Sequence, residues 1–163
     1  MFNVSVGVIS YDRMIQNADV DYYISFDNVK VGQLQADYIK NRLQKGNVAL
    51  IGGAYIDKNS FLLQFGQMGI LQLYIERGDI KVVYNKMVKA WTFDEGYEAA
   101  KECLRNNKVD AIICGNDLFT RGAIKALKEK GLAGKVLVAG QDADSQAREN
   151  IIRGYQTMSV YNN

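Results

Sequence analysis

Short, nearly unbroken apolar runs alternate along this chain with longer stretches whose apolar positions recur every three to four residues. The runs are "NVALIGG" (47–53), "IKVVYN" (80–85), "VDAIICG" (109–115) and "KVLVAG" (135–140). Apolarity without polar alternation predicts parallel strands covered on both faces. The amphipathic stretches predict helices over 29–46, 60–78, 92–107, 117–131 and a shorter one over 145–154. In the first, Val31, Leu34, Tyr38 and Leu43 share roughly one face and Gly46 can end the helix; Gly78 does the same for the second. Strand–helix alternation at this spacing predicts an α/β fold, a three-layer α/β/α sandwich with a mostly parallel sheet. Such sheets bind ligands beyond the carboxyl ends of their strands, near the point where strand order reverses.

The strand ends therefore draw attention. "VAGQDAD" (138–144), "IICGND" (112–117) and "ALIGGAYIDKN" (49–59) each pass from apolar residues to carboxylates or amides. Asp57, Asn59, Asn116 and Asp142 follow strands and are expected to converge on one rim. Asp144 reads as the N-cap of the helix that follows it, in preference to a metal pair or catalytic dyad with Asp142. Asp117 reads as the cap of 117–131, leaving Asn116 for the cleft. The diglycine in "IGG" (51–53) reads as a tight turn, since no phosphate-loop pattern surrounds it. The first part of the chain breaks the rhythm. "VGVISYDRM" (6–14) looks like a strand ending on Asp12 and Arg13, and "YYISF" (22–26) follows a polar loop with no helix between them. Asp12 and Arg13 form either a solvated ion pair or a fork for vicinal oxygens. Trp91, the sole tryptophan, is open to two readings: core packing, or an indole face offered to a ligand.

Composition narrows the chemistry. With 163 residues, 48% of them hydrophobic, the chain suits one globular domain. A net charge of +2 gives no electrostatic case for nucleic acid or an anionic membrane. No apolar run reaches the ~20 residues that span a bilayer, and "MFNVSVGVIS" shows no export signal. Histidine is absent, which removes the commonest general base and metal ligand. Cys103 and Cys114 read as small buried hydrophobes, so neither a metal nor another cofactor is expected. What remains is Asp, Asn, Arg and one large ring. Carboxylates and amides grip hydroxyls, and a ring covers an apolar sugar face, so the inventory fits carbohydrate binding better than catalysis. A glycosidase would need two opposed carboxyl groups about 5 to 9.5 Å apart. Asp57 and Asp142 can be imagined as such a pair, and nothing else in the sequence favours it.

"ISYDRMIQNADVDYYISFDNVKVGQLQA" (9–36), continued by "GGAYIDKN", "GND", "GAIKAL", "GQDAD" and "QTMSVY", closely resembles the D-xylose-binding members of the periplasmic sugar-binding protein family, of the ribose/galactose type. The likeness runs from residue 8 to residue 161. It implies one lobe of a type I periplasmic binding protein, a fold of two α/β lobes joined by three crossing segments with sugar closed between them. By resemblance, residues 1–21 are the terminal strand and loop of the first lobe, 22–27 a hinge crossing, 28–156 the second sugar-binding lobe and 157–163 the start of the last crossing. Most of the first lobe is then expected to be missing, and residues 4–10 to fold back, become disordered or pair with a second copy. Asp12 and Arg13 would bind sugar hydroxyls from the first-lobe side, Asp57, Asn59, Asn116 and Asp142 from the second, with Trp91 stacked on the ring. The implied partners are D-xylose or a related pentose, the complementary lobe, and an ATP-driven importer permease or a membrane sensor kinase, at an extracytoplasmic location. Two departures stand out. Asn162 and Asn163 replace the family's usual Lys-Pro, and "KAW" (89–91) replaces a more acidic turn. A sugar-responsive regulator's effector domain shares the fold, but would require a basic helix-turn-helix segment upstream.

Overall fold

The computed structural model describes residues 6–15 and 17–162. Its centre is a five-stranded parallel sheet made of β3 (Gly46–Ala54), β4 (Ile80–Val88), β5 (Ala111–Cys114), β6 (Leu137–Gln141) and β7 (Met158–Val160), in the order β4-β3-β5-β6-β7. Helices α1 (Asn28–Leu43), α2 (Lys58–Glu76), α3 (Phe93–Asn106), α4 (Asp117–Glu129) and α5 (Ser145–Ile152) connect and flank the strands. Side chains of successive strand residues point to opposite faces, so an unbroken apolar strand feeds two cores at once. On one face Val48, Leu50, Ala111, Ile113 and Ala139 pack with Ala36, Ile39 and Leu71 of α1 and α2. On the other, Ala49, Ile51, Ile112, Cys114 and Val138 pack with Ala99, Cys103, Phe119, Ala123 and Leu127 of α3 and α4. This is the three-layer arrangement that the apolar runs predict.

Strand order reverses at β3: the chain goes first to β4 on one side, then to β5 on the other. The crevice between the carboxyl ends of β3 and β5 is thus the switch point, where such sheets bind their ligands.

The departures from expectation are local. Residues 158–160, not read as a strand from the sequence, form the edge strand β7, paired to β6 through Gly140↔Ser159 and Gln141↔Val160. The diglycine is not a turn: Gly52 and Gly53 lie inside β3. The first helix ends at Leu43 with Gln44 in the left-handed region (φ 55°), and Gly46 opens the next strand instead of ending the helix. The two early segments form short strands, β1 (Ile9–Tyr11) and β2 (Tyr22–Ile24), paired in parallel as a separate ribbon. The expectation for residues 4–10 falls partly outside the described residues; of its described part, Ile9 and Ser10 belong to this ribbon. Among the described residues, no helix is long and apolar enough to cross a membrane.

Candidate functional site

All seven side chains singled out from the sequence line a single cleft of about 140 Å³ at the carboxyl ends of the strands. Each arrives by a separate local device. Asp57 follows β3 and caps α2, its Oδ1 accepting from the Asn59 N–H at 3.0 Å. Its Oδ2 accepts from Trp91 Nε1 (3.0 Å) and lies 3.1 Å from Arg13 Nε. Arg13 is therefore paired with Asp57 across the cleft and not with its neighbour Asp12. Asn59, in the first turn of α2, donates Nδ2 to the carbonyl of Asp12 at 3.1 Å and to its Oδ1 at 3.3 Å. Asp12 itself sits at φ 64°, held by its N–H to Ile24 O and by the Ser25 hydroxyl donating to its carbonyl.

Trp91 belongs to both of its readings. The indole stacks on buried Phe119, with centroids 5.3 Å apart and planes 14° from parallel, while also lining the cleft. Gly53 is what admits it: a Cβ there would stand 2.1 Å from the indole and 2.3 Å from Ser60 Oγ. One face of the ring is packed on Phe119, its N–H is hydrogen-bonded to Asp57, and the ring also borders the cleft.

Asn116 lines the cleft as the sequence suggests, but it also takes the capping role expected of Asp117. Asn116, not Asp117, caps α4, its Oδ1 accepting from the Phe119 N–H at 3.1 Å. Asn116 also lines the cleft, so one residue both starts the helix and borders the candidate site. Asp117 is the first helical residue and fully buried. Asp144 does cap α5, through Ala147 N–H at 2.8 Å, and its Oδ2 takes Arg121 at 2.8 Å. That cation is thereby committed away from Asp142. Asp142 stands at φ 101° beyond β6, and its Oδ1 meets only the Asn162 Nδ2 at 3.5 Å. Asp142 is an exposed residue, and its carboxyl is only partly desolvated where it meets the protein. This desolvation, together with the negative charges of Asp117, Asp144 and Asp12, pushes its carboxyl up to about 6.

Sequence reasoning missed five further lining residues as site members: Phe26, Asn28, Leu63, Gln141 and Asn162. Gln141 Oε1 is buried without a protein partner, and strand alternation next to Asp142 was the available signal for it. Asn162 stood out only as a departure from the family pattern. Neither cysteine enters the site. Both are buried and free, and burial pushes the Cys103 thiol up to about 11 and Cys114 higher still, so neither supplies a thiolate near neutral pH.

Paired acceptors, amide donors and one fixed ring can bind a small polyhydroxylated molecule. A glycosidase pair is poorly served, because both Asp57 oxygens already accept hydrogen bonds from Asn59, Trp91 and Arg13.

Comparison with known proteins agrees with this chemistry. The chain is 45% identical to the D-xylose-binding periplasmic protein of Escherichia coli over 96% of its length and 46% identical to that of Haemophilus influenzae over the same share. In both cases it spans about half (48%) of the relative's length. A carbohydrate transporter solute binding protein from Chloroflexus aurantiacus, solved with D-glucose, superposes with a TM-score of 0.85 at 28% identity, covering 96% of this chain and 55% of that one. These relatives are named as binding proteins, not enzymes. The sequence profile of the periplasmic binding protein domain matches residues 5–163, and the chain belongs to that family.

Proposed function

We propose that this chain supplies one wall of a non-catalytic D-xylose site in an extracytoplasmic receptor, the facing wall coming from a further lobe. The observation that carries the reading is the convergence of Asp12, Arg13, Asp57, Asn59, Trp91, Asn116 and Asp142 on one cleft. Asp57 and Asp142 accept from hydroxyls, Arg13 and the Asn116 Nδ2 donate to them, and Trp91 covers the apolar ring face. A second wall is supported by the length of the relatives and by the open side of the cleft. Past Trp91 and Asp57 it widens into a hollow of about 560 Å³ whose apolar lining includes Met14, Ala54, Ile56 and Ala90. On this reading residues 22–27 and the chain beyond β7 run between lobes. Closure of the lobes over sugar would then be the state recognised by an importer. Import is preferred to sensing because the solved relative is named as a transporter component.

The test is a titration of the 163-residue chain with D-xylose, L-arabinose and D-glucose, followed by calorimetry and by NMR of the Trp91 indole and Asn116 amide signals. With one wall contributing, xylose should bind in the millimolar range, equivalent to roughly 4 kcal/mol. Both signals should shift, and the other two sugars should shift them less. Absence of any shift at saturating sugar would remove the sugar reading. Submicromolar affinity of the monomer would instead remove the need for a second wall.

A further inference from the structure

Asp117 is buried, charged at neutral pH in an ordinary setting, and takes no part in lining the cleft. Its surroundings are specific. Gly140 of β6 makes room for it, since a Cβ there would lie 2.2 Å from Asp117 Oδ1. Oδ1 accepts from Gln156 Nε2 at 2.8 Å, and Oδ2 accepts from the Ser159 hydroxyl at 2.8 Å and from the Asp144 N–H at 3.4 Å. Ser159 Oγ in turn accepts from the Ala143 N–H at 3.0 Å. The two backbone groups so held belong to the turn that follows Asp142. That turn contains two adjacent non-glycine residues in the left-handed region, Asp142 at φ 101° and Ala143 at φ 51°. Side chains with a Cβ populate that region rarely, and the surrounding structure must over-determine it for it to persist. Here the over-determination comes from β7 through Ser159 and from α4 through Asp117, while the Asp142 N–H is fixed to Val160 O at 2.8 Å.

We propose that Asp117, acting through Ser159, is a positioning residue that holds the 142–144 turn in the conformation presenting the Asp142 carboxylate to the ligand. The proposal rests on reading the cleft as a sugar site. Without the clamp, Ala143 and Asp142 relax toward negative φ and the carboxylate leaves the rim. The same network joins the Asp142 turn to β7, whose continuation carries Asn162 into the cleft.

The experiment compares the wild-type chain with Ser159→Ala, Asp117→Asn and the double variant Ser159→Ala/Ala143→Gly. It reads xylose affinity by NMR titration and the exchange rates of the Ala143 and Asp144 amide protons. Ser159→Ala and Asp117→Asn should each weaken xylose about tenfold and speed exchange of those two amides about tenfold, with β3 and β5 amides unchanged. Glycine accepts positive φ without strain, so the double variant should return affinity to within about threefold of wild type. Unchanged affinity and unchanged exchange in both single variants overturn the proposal. So does a loss that glycine fails to restore while the sheet amides stay protected, because a merely structural role would behave that way. If the wild-type chain gives no xylose response, the sugar reading fails, and the exchange rates alone decide whether Asp117 and Ser159 hold the turn.

Discussion

β5 and β2 are made of similar material and live in opposite surroundings. "AIIC" of β5 is buried at every position, between α1–α2 on one face and α3–α4 on the other. "YYI" of β2 is exposed at every position, paired only with β1. The difference teaches what holds each region in place. The slab is held by apolar burial on two faces. The ribbon reaches the slab largely through polar contacts of the cleft itself: Asn59 to Asp12 and Arg13 to Asp57. Its exposed Ile9, Tyr11, Tyr22 and Ile24 form an apolar surface of the kind that strands bury against further structure, consistent with a facing lobe.

One residue type placed in both regions gives the largest expected contrast. Ile113→Ala, at a site with 0% exposure, should cost about 2–5 kcal/mol through lost burial and the cavity left behind. Ile24→Ala, with 53% exposure, should fall within about 0.5 kcal/mol of wild type. Urea denaturation followed by circular dichroism measures both. Similar losses at the two sites would mean that the ribbon is packed in solution and that apolar burial holds it as it holds the slab.

Trp91 comes next, because it belongs to slab and cleft together. Trp91→Ala removes the stack on Phe119 and the hydrogen bond to Asp57, and for a half-buried ring we expect about 2 kcal/mol of lost stability. The xylose response of Asn116 should disappear as well. Stability lost with sugar response intact would confine the indole to packing.

Arg13 probes the tie between ribbon and slab. Its guanidinium is 61% exposed and pairs with an Asp57 side chain only 9% exposed. Arg13→Ala should cost about 1 kcal/mol, because the arginine side is open to solvent and the enclosed Asp57 keeps its hydrogen bonds from Asn59 and Trp91. It should nevertheless speed amide exchange in β1 and β2 and weaken xylose severalfold. Unaltered exchange in the ribbon would show that Asn59 alone suffices to hold it.

The slab was legible in the sequence because two-sided burial writes a simple pattern: runs such as "VALI" and "AIIC" have no polar partner positions, and amphipathic stretches separate them. The cleft was legible because a parallel sheet brings the carboxyl ends of its strands to one rim, so Asp57 and Asn116 cap helices and line the cleft at once, and the family likeness pointed to the same positions. β7 escaped because three residues, "MSV", at a sheet edge carry almost no pattern. The cap of α4 was assigned to Asp117 instead of Asn116 because both residue types cap helices well. What decides between them is room beside Gly140, a tertiary fact. The left-handed turn at Asp142 and Ala143 was invisible for the same reason, since neither residue advertises positive φ as glycine does.

The smallest expected effect separates two rim carboxylates, one tied to the ribbon and one not. Asp57 has Arg13; among the described residues Asp142 has no ion pair. The Asp142 carboxyl is accordingly pushed up to about 6, against an ordinary value of about 3.9. A carboxyl whose pKa is higher in the folded chain holds its proton more tightly there. Its contribution therefore favours folding below about pH 4 and is lost as pH rises through 6. Asp142→Asn should make the chain more stable than wild type at about pH 7.5, and the gap should close by about pH 4. Solvent at the open side of the cleft screens the charge, so the gap should stay below about 1 kcal/mol. Asp117, whose carboxyl burial also pushes up, repels the Asp142 carboxylate, so Asp142→Asn relieves Asp117 as well and acts on stability in the same direction. Sugar binding should move the opposite way: the ionised carboxylate accepts from hydroxyls, so wild-type affinity falls as pH drops through 6, while Asp142→Asn binds more weakly and without that pH dependence. Urea midpoints and xylose titrations at the two pH values check both signs. A variant no more stable than wild type at the higher pH would mean that Asp142 has a counter-charge after all, and the contrast between the two rims would vanish.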